Sequence, residues 1–144
     1  MATILLLNGP NLGLLGEREP DHYGSETLDA VVARLEEQAR AGGHALEHCQ
    51  TDAEHEMLGR VHGARGKADA IVINPGASGH TSLALADALA AAAVPYVEVH
   101  ISNVFARGEL RSRLLLAPGA AGVIAGCGTR GYDLALTAAL ARCT

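Results

Sequence analysis

Short apolar runs alternate with helical patterns along almost the whole chain, and this alternation restricts the fold more than any other feature of the sequence. Apolar runs separated by segments with helical spacing favour a parallel sheet that helices cover on both faces. The runs typical of strands are Thr3 to Leu7, His44 to Gln50, Ala70 to Ile73, Tyr96 to Val99 and Ala121 to Ala125.

Four segments between or after these runs have helical spacing. Ser25 is the predicted N-cap of the first helix, which Gly42 and Gly43 end. The other predicted helices are Glu54 to Arg65, Thr81 to Ala93 and Gly131 to Arg142. With 144 residues and no repeat or linker, the chain fits a single catalytic domain over 1–144.

Charge and composition exclude several classes of partner. The formal charge of −5 argues against nucleic acid and acidic membranes, which need clustered Lys and Arg. No apolar run reaches the length of a membrane span and no leader pattern is present, so we expect a cytoplasmic protein. The Cys and His spacings match no metal site, and the glycines of 126–131 lack the following strand and acidic residue of a dinucleotide site. We therefore predict neither metal nor cofactor.

Polar residues follow three of the predicted strands. Asn8 and Asn11 follow the first strand, Asn74 follows the third, and His100 with Ser102 follows the fourth. In open parallel sheets, ligands bind outside the carboxyl ends of the strands. We therefore expect these side chains to form one site.

The segment from Gly9 to Gly24 is long for a connection between a strand and a helix, which is typical of functional loops, and its glycines suggest a movable lid. It carries Arg18 and Tyr23. A guanidinium close to a tyrosine hydroxyl favours the phenolate, so Tyr23 is a candidate general base. The alternative is a tyrosine and an arginine that stack on the surface.

Glu98 and His100 share one side of a strand end because alternate residues of a strand face the same way. A carboxylate beside an imidazole favours its protonated form, which suits a general acid. The alternative is a core histidine satisfied by a local carboxylate. The backbone amides at Ile101 and the Ser102 hydroxyl that follow are candidate groups for holding a carboxylate.

Further candidates lie in turns and helices. Arg107 and Arg111, four residues apart, are either a cation pair for an anion or an ordinary solvated pair. Asn74 and His80 either bind substrate hydroxyls or belong to an ordinary turn. Asp87 is the only charged residue of a helix that is apolar nearly all round, which predicts a subunit interface and a partner for its carboxylate.

Two long motifs occur together at a characteristic separation. They are Asn8-Gly9-Pro10-Asn11-Leu12-Gly13-Leu14-Leu15-Gly16 with Arg18-Glu19-Pro20 and Tyr23-Gly24, and Glu98-Val99-His100-Ile101-Ser102-Asn103. In both, the chain resembles the type II 3-dehydroquinate dehydratases. The resemblance implies a flavodoxin-like fold with a five-stranded parallel sheet of order 2-1-3-4-5. It also implies cofactor-free dehydration of 3-dehydroquinate by anti elimination through an enolate, and a dodecamer of trimers.

The resemblance also implies a role for each candidate. Tyr23 removes the proton, Arg18 keeps Tyr23 ionised, Asn11 helps to hold a water at the enolate oxygen, and His100, oriented by Glu98, protonates the departing hydroxyl. The residues implied to bind substrate are Asn74, His80, Ile101, Ser102 and Arg111, with Asp87 reaching a neighbouring subunit's site.

The sequence departs from the family pattern at Gly79, Ala86, Phe105, Gly108 and Ser112-Arg113, none of which is a predicted catalytic residue. These departures leave open a catalytically weakened paralogue. A flavodoxin-like module that binds a small anion without turnover is the other alternative, although such a module needs glycines and hydroxyls after the first strand, where this chain has Asn, Arg and Tyr.

Overall fold

The structure, a computed structural model, describes residues 1–143 and is built around one parallel sheet. The sheet has five strands in the order β2-β1-β3-β4-β5, which confirms the predicted flavodoxin-like order. The strands are β1 (Thr3–Asn8), β2 (Ala45–Gln50), β3 (Ala70–Asn74), β4 (Tyr96–His100) and β5 (Gly122–Ala125).

Helices cover both faces of the sheet. They are α1 (Pro20–Tyr23), α2 (Leu28–Ala41), α3 (Glu54–Ala64), α4 (Leu83–Ala92) and α5 (Arg130–Ala141). The helices α2 and α5 pack on one face, and α3 and α4 pack on the other. Among residues 1–143, no helix has both the length and the apolar character that crossing a membrane requires.

The continuous apolar character of the strands follows from this two-sided cover. In β1, Ile4 and Leu6 belong to the core cluster beneath α2 and α5, whereas Leu5 and Leu7 belong to the cluster beneath α3 and α4. Successive side chains of a strand point to opposite faces, so both faces need apolar residues when both are covered.

The start of α2 differs from the prediction. The N-cap is Thr27, whose hydroxyl accepts a hydrogen bond from the Ala30 N–H at 3.2 Å, and not Ser25. Both residue types cap helices well, and the choice is made by packing, because the helix begins at Leu28, the first buried residue of its apolar face. The Ser25 carbonyl lies instead against the backbone at Gly16.

The helix α4 leaves one side uncovered in the single chain. Leu83 is 67 % exposed and Asp87 is also exposed, whereas Leu85, Ala88 and Leu89 are buried against the sheet. An exposed apolar helix face of this kind is typical of a protein–protein contact.

Candidate active site

A small cavity of about 110 Å³ lies at the carboxyl ends of β1, β3 and β4, where the sheet geometry predicts a ligand site. It brings together most of the residues that the sequence singled out. Those that line the cavity are Asn11, Arg18, Tyr23, Asn74, His80, His100, Ile101, Ser102 and Arg111.

Two backbone loops that interlock form the floor of the cavity. The Gly9 N–H donates to the Asn74 carbonyl at 2.8 Å, and a Cβ on Gly9 would lie 2.4 Å from the Pro75 carbonyl oxygen. Gly76 has a φ of +59°, and a Cβ there would lie 2.9 Å from the Pro10 carbonyl oxygen. Only glycine permits this approach at both positions.

The end of β2 supports the start of the lid. Asn11 has a left-handed backbone with φ of 69°, and its N–H donates to Asp52 Oδ1 at 2.9 Å. Gln50 Nε2 donates to the Gly9 carbonyl at 3.1 Å and to the same Asp52 oxygen at 3.2 Å. These contacts fix Asn11 at the rim of the cavity. Neither Gln50 nor Asp52 was predicted, because their effect depends on pairing between distant strands.

Tyr23 lies on the short helix α1, between two guanidinium groups. Arg18 lies 4.6 Å from the centroid of the Tyr23 ring, and Arg107 lies 5.2 Å from it. Arg107 Nη1 also donates a hydrogen bond of 2.6 Å to Tyr23 Oη. Tyr23 therefore has one guanidinium on its hydroxyl and a second against its ring.

Arg107 is a site residue that the sequence analysis considered only as a general anion-binding cation. It also donates to Ser102 Oγ at 3.1 Å and lies 3.6 Å from a carboxylate oxygen of Glu19. Arg107 and Arg111 do not lie on one helical turn. The 3-10 turn Val104–Ala106 ends before Arg107, and Gly108 has a φ of +100°, which a helix does not allow.

His100 and Glu98 form the predicted pair. His100 Nε2 lies 2.6 Å from Glu98 Oε2, and both side chains are buried, Glu98 completely. Among residues 1–143, Glu98 Oε1 has no hydrogen-bond partner. Burial raises the pKa of the neighbouring Tyr96, and the carboxylate of Glu98 raises it further.

His80 packs directly on the histidine of that pair. The two rings are stacked, with centroids 5.7 Å apart and planes inclined by 24°. His80 Nδ1 donates to the Arg113 carbonyl at 2.9 Å, which fixes the ring and leaves its other nitrogen for the cavity. Gly79 allows the close packing here, because a Cβ on it would lie 2.7 Å from Pro75 Cγ.

Three predicted residues do not line the cavity. Asn8 is completely buried, and its side chain bonds to Tyr132. Glu98 lies behind His100 and acts on the cavity only through it. Asp87 lies on the exposed side of α4, so its own chain does not bring it to the site. Its role at a neighbouring subunit's site stays a prediction.

Fold and cavity together define the class of the protein: a flavodoxin-like α/β enzyme with acid–base groups at the carboxyl edge of its sheet. The family model "Dehydroquinase class II" matches residues 2–140. The chain belongs to the class II dehydroquinase family.

Relatives and solved structures agree with this assignment. The chain is 56 % identical over 137 residues to the 3-dehydroquinate dehydratase of Aeromonas hydrophila, covering 95 % of this chain and 92 % of the relative. It is 57 % identical over 141 residues to that of Thioalkalivibrio sulfidiphilus, covering 97 % and 96 %. The crystal structure of the type II dehydroquinase from Propionibacterium acnes superimposes with a TM-score of 0.91 at 47 % identity, covering 95 % and 94 % of the two chains.

Proposed function

We propose that this chain dehydrates 3-dehydroquinate to 3-dehydroshikimate, without cofactor, by anti elimination through an enolate. One observation carries the proposal. In a single cavity of a class II dehydroquinase, Tyr23 contacts two guanidiniums, and His100 is held by a buried carboxylate. A base and an acid on separate elements are what an elimination requires, because the proton and the hydroxyl leave from different carbons.

Tyr23 is the proposed base. As the phenolate it takes the proton from the carbon next to the ketone, and the electrons of the broken C–H bond form the enolate. The guanidiniums of Arg18 and Arg107 are proposed to stabilise the phenolate, because Arg107 donates a hydrogen bond to the Tyr23 hydroxyl and Arg18 lies over the Tyr23 ring. Asn11, at the rim of the cavity, is proposed to hold a water at the enolate oxygen.

His100 is the proposed acid. When the enolate returns to the ketone, the carbon–oxygen bond breaks, and the departing hydroxyl takes a proton from His100 and leaves as water. Glu98 occupies Nε2, so Nδ1 is the nitrogen proposed to face the substrate. The buried carboxylate of Glu98 keeps the imidazole oriented and stabilises its charged form.

The remaining polar groups of the cavity are proposed to bind substrate. Asn74, His80 and Arg111 suit the ring hydroxyls, and the Ile101 amide with the Ser102 hydroxyl suits the carboxylate. The Ser102 hydroxyl already accepts from Arg107, which adds a positive charge to that end of the cavity. An anionic substrate is therefore favoured there.

We also propose that the chain acts in the cytoplasm as a dodecamer of trimers in which Asp87 reaches a neighbouring site. The free thiols Cys49, Cys127 and Cys143 support a reducing compartment, and the exposed apolar side of α4 supports a subunit contact. Light scattering should give twelve times 14.8 kDa, about 178 kDa. A monomer at working concentration would refute the contact.

Turnover tests the reaction directly. Purified protein is treated with a chelator, or with 3-dehydroquinate and borohydride followed by removal of the borohydride. It is then mixed with fresh 3-dehydroquinate, and the ultraviolet absorbance of the conjugated product is followed. We expect prompt turnover that neither reagent abolishes. Absence of turnover from a folded protein contradicts the proposal and favours the weakened paralogue, whereas stabilisation by substrate without product favours the binding module.

Replacement of Tyr23 by Phe tests the base. We expect a loss of turnover of about 100- to 10,000-fold with little change in substrate binding, as for removal of a general base. The matched control is His22→Gln, because His22 is exposed on the same short helix and does not line the cavity. Near-normal turnover of Tyr23→Phe would exclude Tyr23 as the base.

A further inference from the structure

A chain of four polar side chains leads from the cavity into the sheet, and the proposed reaction does not use three of them. Asn74 Nδ2 donates to Tyr132 Oη at 2.8 Å, and Tyr132 Oη donates to Asn8 Oδ1 at 2.6 Å. Asn8 Nδ2 lies 3.1 Å from His48 Nε2. We call Asn74, Tyr132, Asn8 and His48 the buried polar chain. Asn8, Asn74 and Tyr132 are almost completely buried, and His48 is half-buried on β2.

The direction of every hydrogen bond in the buried polar chain is fixed by its inner end. The Gly76 N–H can only donate, and it points at Asn74 Oδ1 at 3.1 Å, so Asn74 must present Nδ2 to Tyr132. Burial raises the pKa of Tyr132, so its hydroxyl keeps the proton and donates it to Asn8 Oδ1. The amide nitrogen of Asn8 then faces His48, whose Nε2 must carry a lone pair to accept.

We propose that Tyr132 is a positioning residue for the substrate site: the Gly76 N–H sets which way the Asn74 amide faces, and the buried polar chain holds the plane of that amide, most firmly while His48 Nε2 is unprotonated. This rests on the proposed function, in which Asn74 binds a substrate hydroxyl. One amide proton of Asn74 is taken by Tyr132, so the chain determines where the second proton points. Tyr132 touches no substrate itself, because it does not line the cavity.

Protonation of His48 reverses the outer end of the buried polar chain. The added N–H would face the Asn8 amide N–H, and two donors repel, so Asn8 must turn and present its oxygen. Tyr132 would then lose the acceptor for its proton. The orientation of Asn74 is thereby linked to a histidine two strands away in the sheet order, since β1 lies between β2 and β3.

The charges around His48 decide the pH at which this happens. Burial is the largest influence and lowers the pKa of His48. The carboxylates of Glu36 and Asp29 on α2 oppose the shift, and the guanidinium of Arg60 on α3 adds to it. His48 therefore becomes protonated at a pH below the ordinary histidine pKa of about 6.5.

Replacement of Tyr132 by Phe tests the positioning role. We expect KM for 3-dehydroquinate to rise about tenfold with kcat within about twofold, because a binding group and not a reacting group is disturbed. The matched control is Tyr96→Phe, which removes a buried hydroxyl that donates to the Leu116 carbonyl in the opposite core cluster. It should lower the melting temperature without changing KM. An unchanged KM in folded Tyr132→Phe overturns the proposal.

Replacements of His48 test the outer end without touching the core. Gln accepts from Asn8 without titrating, so His48→Gln should keep the wild-type KM at pH 8 and lose the rise in KM that we expect of the wild type once the pH falls below the ordinary histidine pKa of about 6.5. His48→Leu, which has no acceptor, should show the raised KM at every pH. Identical pH profiles of KM in wild type, His48→Gln and His48→Leu overturn the proposal.

The two proposals fail differently. If the wild type does not turn over 3-dehydroquinate, the proposed function fails. If the wild type turns it over but the Tyr132 and His48 variants behave like it, only the positioning role fails.

Discussion

Replacement of Arg107 by Leu is expected to lower kcat/KM strongly while leaving the fold intact. The guanidinium joins the lid to the body of the protein, because it donates to Tyr23 Oη at 2.6 Å and to Ser102 Oγ at 3.1 Å. Its side chain is only 12 % exposed, so solvent screens these contacts weakly. Leucine retains much of the apolar stem and removes every donor.

The size of the effect follows from the hydrogen bonds that leucine cannot make. A hydrogen bond to a charged group contributes about 1.5 to 3 kcal/mol. The ion pair with Glu19 adds little, because the two groups are 3.6 Å apart and the Glu19 side chain is 52 % exposed. Two such hydrogen bonds together give a loss of about 3 to 6 kcal/mol, which corresponds to about a 160- to 26,000-fold decrease in kcat/KM. We expect most of it in kcat, since the phenolate of Tyr23 loses its hydrogen-bond donor.

Steady-state kinetics with 3-dehydroquinate measures the change, and circular dichroism checks the fold. Arg107→Lys should give an intermediate rate, because lysine restores the charge on a differently shaped side chain, which cannot reproduce the contacts of Nη1 with Tyr23 and Ser102 and of Nη2 with Glu19 together. Arg130→Leu is the control, because Arg130 is exposed outside the cavity and, among residues 1–143, pairs only with Asp133. A decrease of less than threefold in Arg107→Leu would show that the guanidinium contributes neither to the base nor to closure of the lid.

Three further predictions concern the scaffold. Gly9→Ala should lower the free energy of unfolding by about 3 kcal/mol in urea denaturation, because its Cβ would meet the Pro75 carbonyl at 2.4 Å. Gly59→Ala should raise it by about 0.5 to 1 kcal/mol, because Gly59 lies in α3 with open space around it. Equal effects of the two substitutions would contradict the packing argument. Arg34→Leu should lower the free energy of unfolding by about 1 to 3 kcal/mol and leave turnover unchanged, because Arg34 joins α2 to Asp133 of α5 at 2.9 Å and to Glu26. An unaltered urea midpoint would show that these ion pairs do not stabilise the fold. The lowered pKa of His48 means that the fold favours its neutral form, so this stabilisation is complete above about pH 6.5 and is lost as the pH falls through the lowered value. The melting temperature of the wild type should therefore fall more than that of His48→Gln between pH 7.5 and 5, and parallel curves would contradict it.

The sheet and most of the site could be predicted because their signals are local. The apolar runs located all five strands to within one or two residues, and the polar residues that end β3 and β4 do meet in one cavity with Asn11, which follows β1. Asn8, which ends β1, was also expected there but is buried away from the cavity. The start of α2 was misplaced by two residues because Ser25 and Thr27 have similar capping ability, and only the burial of Leu28 distinguishes them.

What the sequence could not supply are contacts between residues far apart in the chain. Arg107 meets Tyr23 across 84 positions, and Tyr132 meets Asn8 across 124. No periodicity encodes such pairs. A tyrosine near the start of a helix, such as Tyr132, looks like an ordinary core residue until the fold places its hydroxyl between two asparagines.

The interlocked loops beneath the cavity separate what can vary in this enzyme from what cannot. Gly9 and Gly76 admit no side chain, so the loops that follow the strand ends at Asn8 and Asn74 meet backbone to backbone as one rigid unit. Above that unit, Tyr23 is joined to the body by the side chain of Arg107 and by packing against the core cluster beneath α2 and α5. Single substitutions in the segment that carries Arg18 and Tyr23 can therefore alter activity, whereas a change at Gly9 or Gly76 requires a compensating change in the facing loop.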